Sequence, residues 1–258
     1  MSLTLEFLGT GTSGGVPIIG CTCAVCTSAD PHDSRLRSSA LIRIDGKTIL
    51  IDTSPDLRQQ LLRAKPDRID GVLYTHMHSD HTAGLDDLRP FNYRQEERIP
   101  TWVPANAIND LRQRFGYALE PIKGRYGVIP SLDVTVIDVV QPFEIAGVTV
   151  TPIPVMHGKL PILGYRFGNL AYITDILTLP EESWPLLDGV EVLVTTALKL
   201  TENPGHMCLP EAIAFAKEVG ARQTWFSHIG HEMGKYADIN PTLPDGMELA
   251  YDGLVIEA

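Results

Sequence analysis

The chain has no apolar run near the roughly 20 residues that a membrane-spanning helix needs, which argues against a membrane partner. No signal-peptide pattern precedes the strand-like segment Leu3–Leu8, so a bacterial-type cytoplasmic protein is expected. Basic residues are scarce: 21 Lys and Arg against 32 Asp and Glu leave a formal net charge of −11. A broad, sequence-independent nucleic-acid surface needs clustered Lys and Arg, so long nucleic acids are disfavoured as partners. A small phosphate-bearing substrate stays open, because bound metal ions supply positive charge locally. Cysteine is sparse as well. Four residues cannot staple 258 into a disulfide framework, yet three of them crowd into Cys21-Thr22-Cys23-Ala24-Val25-Cys26, with Cys208 alone. In a reducing compartment such crowding points to a metal or to redox chemistry. Repeats, low-complexity tracts and linkers are absent, so residues 1–258 are expected to form a single domain. Its oligomeric state is open, with a homodimer compatible.

What is present alternates short β-like runs with helical segments. Ala40–Ile44 and Lys47–Ile51 flank Asp45-Gly46, a strong hairpin signal. Asp56–Ala64 has helical spacing and ends before Pro66, and Gly71–Tyr74 is expected as a buried strand. Residues 90–130, rich in aromatics and charge and including Tyr126, are expected to form an insertion beside the active face, with a helix around Ala105–Phe115. The strand pattern returns in Val134–Val139, Val148–Pro152, Leu163–Phe167, Ala171–Thr174, Val190–Thr195 and Gln223–Ser227, with a helix over Pro210–Val219. Interleaved strands and helices predict one layered α/β (α+β) fold.

Chemistry concentrates at residues 75–81, Thr-His-Met-His-Ser-Asp-His. His76 and His78 are two apart, so extended backbone projects both to the same side. Asp80 and His81 follow where the chain leaves the strand and can turn back to the same centre. Imidazole suits zinc, iron and manganese, and a carboxylate suits a divalent ion that polarises water. His157, Asp175 and His228 each follow an apolar run, at the strand–loop junctions where sites collect. Singly, each is equally a capping aspartate or a hydrogen-bonded histidine. Together with 76–81 they complete two metal positions.

In this chain order the set His76-x-His78-x-Asp80-His81, His157, Asp175 and His228 resembles the metallo-β-lactamase superfamily. The resemblance implies a four-layer αββα sandwich with a dinuclear site at the edges of both sheets. It also implies His76, His78 and His157 on one ion and Asp80, His81 and His228 on the other, with Asp175 bridging. The three thiolates of Cys21, Cys23 and Cys26 need a fourth ligand to close a tetrahedral structural zinc, and His231, three residues beyond His228, is the candidate. Such a zinc would brace the loop that carries His228.

Those cysteines, Leu8-Gly9-Thr10-Gly11, His228-x-x-His231, His206 and Tyr251-Asp252-Gly253 together resemble the PhnP-type phosphodiesterases. That likeness implies hydrolysis of a small cyclic phosphate of phosphoribosyl type by a hydroxide bridging two divalent ions, zinc or manganese. In that family the residue matching His206 is a candidate acid for the leaving oxygen, and Asp80 belongs to the catalytic set. Many relatives carry an acidic residue near Thr195-Thr196; both positions are threonine here, which bears on site support and substrate choice. Other readings are a lactone or thioester hydrolase on the same centre, a nuclease of the tRNA-processing type, and a non-hydrolytic accessory protein of cofactor biosynthesis. Gly9-Thr10-Gly11-Thr12-Ser13-Gly14 fits the dinucleotide pattern GxGxxG, but no helix follows to receive a pyrophosphate. A tight turn near the metal site explains those glycines better.

Overall fold

Alternating apolar residues in Leu3–Gly9 (β1) and continuous apolar runs in Ser39–Ile44 (β2) and Lys47–Ile51 (β3), buried on both faces, build an antiparallel meander, and Gly71–Leu73 (β4), Ile99–Pro104 (β5) and Leu132–Ile137 (β6) extend it in parallel. This is the computed structural model of the protein, and it describes residues 3–120 and 128–258. The Asp45-Gly46 turn has φ of 48° and 78°, the two positive values that a tight hairpin demands. Phe143–Ile145 (β7), Val148–His157 (β8), Leu160–Phe167 (β9) and Leu170–Ile173 (β10) form a second antiparallel run. Val192–Thr196 (β11), Gln223–Ser227 (β12) and Met247–Leu249 (β13) continue it in parallel. Val255–Glu257 (β14) returns to flank β1, giving among the described residues seven strands in each sheet: β14-β1-β2-β3-β4-β5-β6 and β13-β12-β11-β10-β9-β8-β7.

The sheets pack face to face. Leu5, Phe7, Ile42 and Ile51 of the first meet Tyr165, Phe167 and Tyr172 of the second in one fully buried cluster. Each such side chain contributes about 1.5–3 kcal/mol on leaving water. On the outer face of the first sheet, Leu41, Leu50 and Val72 pack under Leu57–Ala64 (α1), Arg89–Gln95 (α3) and Ile108–Phe115 (α4). The single turn Ser79–Thr82 (α2) lies between β4 and α3. Ile173, Leu193 and Phe226 of the second sheet are covered by Leu209–Val219 (α5) through Ala212, Phe215 and Ala216. Three apolar layers thus separate four structural ones, the expected αββα sandwich. Among the described residues no helix is long and apolar enough to cross a membrane.

The stretch expected as an insertion is woven into the first sheet: β5 lies between β4 and β6, and α4 packs on its outer face. Pro100 and Pro104 obscured β5 in the sequence. Only Thr101 and Trp102, between the two prolines, pair with β4, so neither proline interrupts that ladder. Tyr126 lies outside the described residues.

Candidate metal centre

Five strands end on polar residues at one rim of the sandwich. Asp52 follows β3, Thr75 and His76 follow β4, His157 ends β8, Asp175 follows β10 and His228 follows β12. Asp52, Asp175 and His228 adopt left-handed φ of 60°, 60° and 54°. Few non-glycine residues enter that region, Asp and His more readily than most, at about 1–2 kcal/mol each. The reversal takes the chain off the strand within one residue and leaves each side chain at the rim.

Hydrogen bonds then settle which ring nitrogen each histidine presents. His81 Nδ1 donates to Asp52 Oδ2 at 2.7 Å, and His157 Nδ1 donates to the Gly205 carbonyl at 2.7 Å. Thr75 Oγ1 donates to Asp52 Oδ2 and so accepts from His76 Nδ1, 2.9 Å away. Ser38 Oγ donates to the Gly11 carbonyl and so accepts from His228 Nδ1 at 3.0 Å. All four rings therefore commit Nδ1 as a donor and leave Nε2 as the atom that faces the centre, the arrangement that metal-binding imidazoles use.

Those nitrogens converge with two carboxylates. One group holds His76, His78 and His157; another holds Asp80, His81, Asp175 and His228; a third joins His157, Asp175 and His206. Asp175 thus reaches from the second group toward His157. Tetrahedral zinc with nitrogen and oxygen ligands at about 2.0–2.2 Å spaces its ligand atoms by about 3.3–3.6 Å. His81 Nε2 lies 3.3 Å from a carboxylate oxygen of both Asp80 and Asp175, and His228 Nε2 lies 3.2 Å from Asp175. Among the described residues His76 Nε2 and His81 Nε2 are buried with no hydrogen-bond partner, so His81 Nε2 points between the carboxylates rather than at either. Buried polar atoms normally find partners. These donors fit a divalent cation.

The electrostatics agree. Burial pushes His228 down to about 4 and His76 well below the ordinary imidazole value, so both are neutral near pH 7. Burial would raise the Asp175 carboxyl, but His228 and His81 hold it well below the usual range, and Asp80 falls below it through His81 and His228 despite its own burial. His81 goes the other way: against its burial, the charges of Asp175 and Asp52 hold it well above the usual histidine value. Two anionic carboxylates facing one ring make a site that attracts positive charge.

A second cluster lies one turn beyond His228. Cys21, Cys23 and Cys26 Sγ are 3.4, 3.3 and 3.5 Å from His231 Nδ1. Bonds of about 2.3 Å to sulfur and 2.0 Å to nitrogen require about 3.5 Å between such atoms in a tetrahedron. The backbone amide of Cys26 and the ring of His231 bring Cys23 down to about 6, while burial takes Cys26 up to about 11. A coordinated ion would deprotonate the latter. Cys208 is a capping residue: its backbone amide and the Glu211 side chain close the first turn of α5.

His206 Nε2 lies 3.1 Å from Asp175 Oδ1, on a loop ordered by Asn203 Oδ1, which accepts from the Gly205 and His206 amides. Thr196 Oγ1 accepts from the Asp175 amide at 2.6 Å, whereas Thr195 Oγ1 is buried without a partner among the described residues. No helix directly follows the glycine loop: the next element after β1 is the short turn Pro31–Asp33. The loop's Thr12 amide donates to the Ile229 carbonyl, and Asp252 accepts from the amides of Thr10 and Leu36, which seats the loop against His228. Sequence reasoning missed Ser38 and Asp52. Asp52 ends Ile49-Leu50-Ile51 as Asp175 ends Tyr172-Ile173-Thr174, so the signal used for Asp175 was present there too.

A family model described as a beta-lactamase superfamily domain matches residues 47–229, and the chain belongs to that superfamily. Its fold and ligand groups are those of a metal-dependent hydrolase. Within the superfamily it resembles the PhnP family: the crystal structure of a diphosphatase from that family is 40% identical, with a TM-score of 0.91 over 99% of this chain and 98% of the other. An octanoyltransferase of Porphyromonas gingivalis is 39% identical over 96% of this chain, which spans only 50% of that protein. Coenzyme PQQ synthesis protein B of Methylobacterium radiotolerans is 29% identical over 98% of this chain and 99% of its own.

Proposed function

We propose that the protein is a dinuclear phosphodiesterase acting on a small phosphate-bearing compound, a cyclic phosphate of phosphoribosyl type being the favoured substrate. The observation that carries this reading is that four Nε2 atoms, each on a ring with its Nδ1 tied off, fall with the carboxylates of Asp80 and Asp175 into ligand groups that overlap at His157 and Asp175. The 40% likeness to a PhnP-family diphosphatase supports phosphorus as the atom attacked. His76, His78 and His157 would hold one ion and Asp80, His81 and His228 the other, with Asp175 between them. Cys21, Cys23, Cys26 and His231 would hold a structural zinc. Divalent ions in such a centre lower the pKa of water toward neutrality and offset charge on phosphoryl oxygens.

The chain's own residues set the rest. Asp52 and Ser38 fix the tautomers of His81 and His228, and Gly205 does so for His157. His206, partly exposed beside Asp175, holds a proton at Nε2 for the leaving oxygen. Burial of Asp52, Asp175, His81 and His228 keeps bulk water away from the deep side and strengthens every charge interaction there.

The match to half of an octanoyltransferase favours a second reading, in which the same centre hydrolyses a thioester or lactone. The discriminating experiment loads purified protein with zinc or manganese and offers cyclic and linear phosphodiesters, diphosphates, thioesters and lactones. Phosphodiester turnover supports the first reading; hydrolysis confined to acyl substrates replaces it with the second.

A further inference from the structure

An apolar groove of about 270 Å³ opens at the same rim as the metal centre. Pro104 and Ile137 form one wall at the ends of β5 and β6, Pro154, Pro161 and Leu163 form the other on the β8–β9 hairpin, and Val140 stands at the mouth. The wall and the centre are contiguous: the Leu163 amide donates to the Thr75 carbonyl, one residue before His76, and Pro154 lies three residues before His157 on β8. Strands β5 and β6 run parallel to the strand that delivers His76, and neighbouring strands are about 4.8 Å apart. The groove mouth therefore lies within roughly two strand widths of the ligand-bearing strand.

Its lining chooses among occupants. Only Asn106 and Asp138 are polar, and Asn106 Nδ2 is engaged by the Pro161 carbonyl at 2.8 Å. No lining residue is aromatic, so a nucleobase would find no stacking platform, nor the donors that read its edge. Val139 and Val140 stand 55% and 48% exposed, apolar surface that none of the described residues covers. A cavity of about 150 Å³ takes a benzene-sized ligand, so this one takes roughly six to ten aliphatic carbons.

We propose that the groove binds an unbranched aliphatic chain attached to the ester cleaved at the metal centre, so that the centre accepts medium-chain alkyl phosphodiesters in addition to a small cyclic phosphate. This rests on the phosphodiesterase reading above, and the test separates the two. Metal-loaded protein is assayed with alkyl p-nitrophenyl phosphates from methyl to decyl, below micellar concentrations, and binding of methyl and octyl phosphate is measured by calorimetry. Each methylene taken from water is worth about fourfold. With about half the octyl methylenes buried, kcat/KM rises on the order of 100-fold from methyl to octyl, then levels off. Val140→Glu, which charges the mouth, and Ala105→Trp, which fills it, each flatten the series while methyl turnover stays unchanged. A flat series in the parent, or a slope that survives both variants, overturns the proposal. If no diester is cleaved yet octyl phosphate binds about 100-fold more tightly than methyl phosphate, and Val140→Glu abolishes the difference, the groove stands and the phosphodiester reading fails. Equal binding of the two phosphates overturns the groove.

Discussion

Replacing Asp52 with asparagine tests whether the centre depends on a residue that touches no candidate ion. The carboxylate is fully buried and faces three donors: the Thr75 amide at 2.8 Å on Oδ1, and Thr75 Oγ1 at 2.8 Å and His81 Nδ1 at 2.7 Å on Oδ2. An amide has one oxygen. If it stays toward His81, its NH2 confronts the Thr75 amide and leaves a buried donor unpaired, costing about 1–3 kcal/mol of stability. If it flips, NH2 confronts His81 Nδ1, the ring must take the other tautomer, and Nε2 loses the lone pair offered to Asp80 and Asp175's centre. Loss of such supporting partners costs 10–100-fold in metal affinity, or about 1.4–2.7 kcal/mol. Competition with a chromophoric chelator should show that loss at the Asp80–His81–Asp175–His228 position, with the cysteine site unchanged. Affinity within twofold of the parent at every position would refute the tautomer argument.

Three further outcomes follow from the same geometry. Cys23→Ser should remove one zinc per chain by elemental analysis and lower Tm by ~5–10 °C, since a brace worth ~2–3 kcal/mol shifts a domain of this size by that much; unchanged zinc content would show that the cluster holds none. His206→Ala should slow cleavage of poor leaving groups by ~10²–10⁴ with little effect on p-nitrophenolate, and retain full metal content. Loss of an ion would instead make His206 a ligand, as its grouping with His157 and Asp175 allows. Gly9→Ala would place a Cβ 2.1 Å from the Arg37 carbonyl; urea denaturation should show at least ~3 kcal/mol lost, and a neutral effect would mean the loop is not packed as described.

Much of the candidate site was legible because residues able to ligate a metal cluster in sequence wherever one strand end supplies several. His76, His78, Asp80 and His81 fall within six residues, and the later candidates all follow apolar strands. The cysteines were legible for the same reason. Ser38 was not, since one serine among many carries no signal until the fold sets it against His228; Asp52 does end an apolar run as Asp175 does, but its role shows only once the fold sets it against His81. The Gly205 carbonyl that orients His157 has no side-chain signature at all. In the fold, apolar strand-like runs and the Asp-Gly turn were readable, and Lys47–Ile51 and Gln223–Ser227 match to the residue. β5 was hidden by its prolines, and the short β7, β13 and β14 have three residues each, too few for a period. Which strands share a sheet depends on packing between segments distant in sequence.

The most direct measurement titrates zinc or manganese into metal-stripped protein while following hydrolysis of a phosphodiester, with Asp175→Asn in parallel. Turnover should appear only as the histidine–carboxylate centre fills, after the cysteine site is saturated, and should be absent in the variant at every metal concentration. Phosphodiester hydrolysis at full rate with that centre empty, or undiminished in Asp175→Asn, would contradict the assignment of this site.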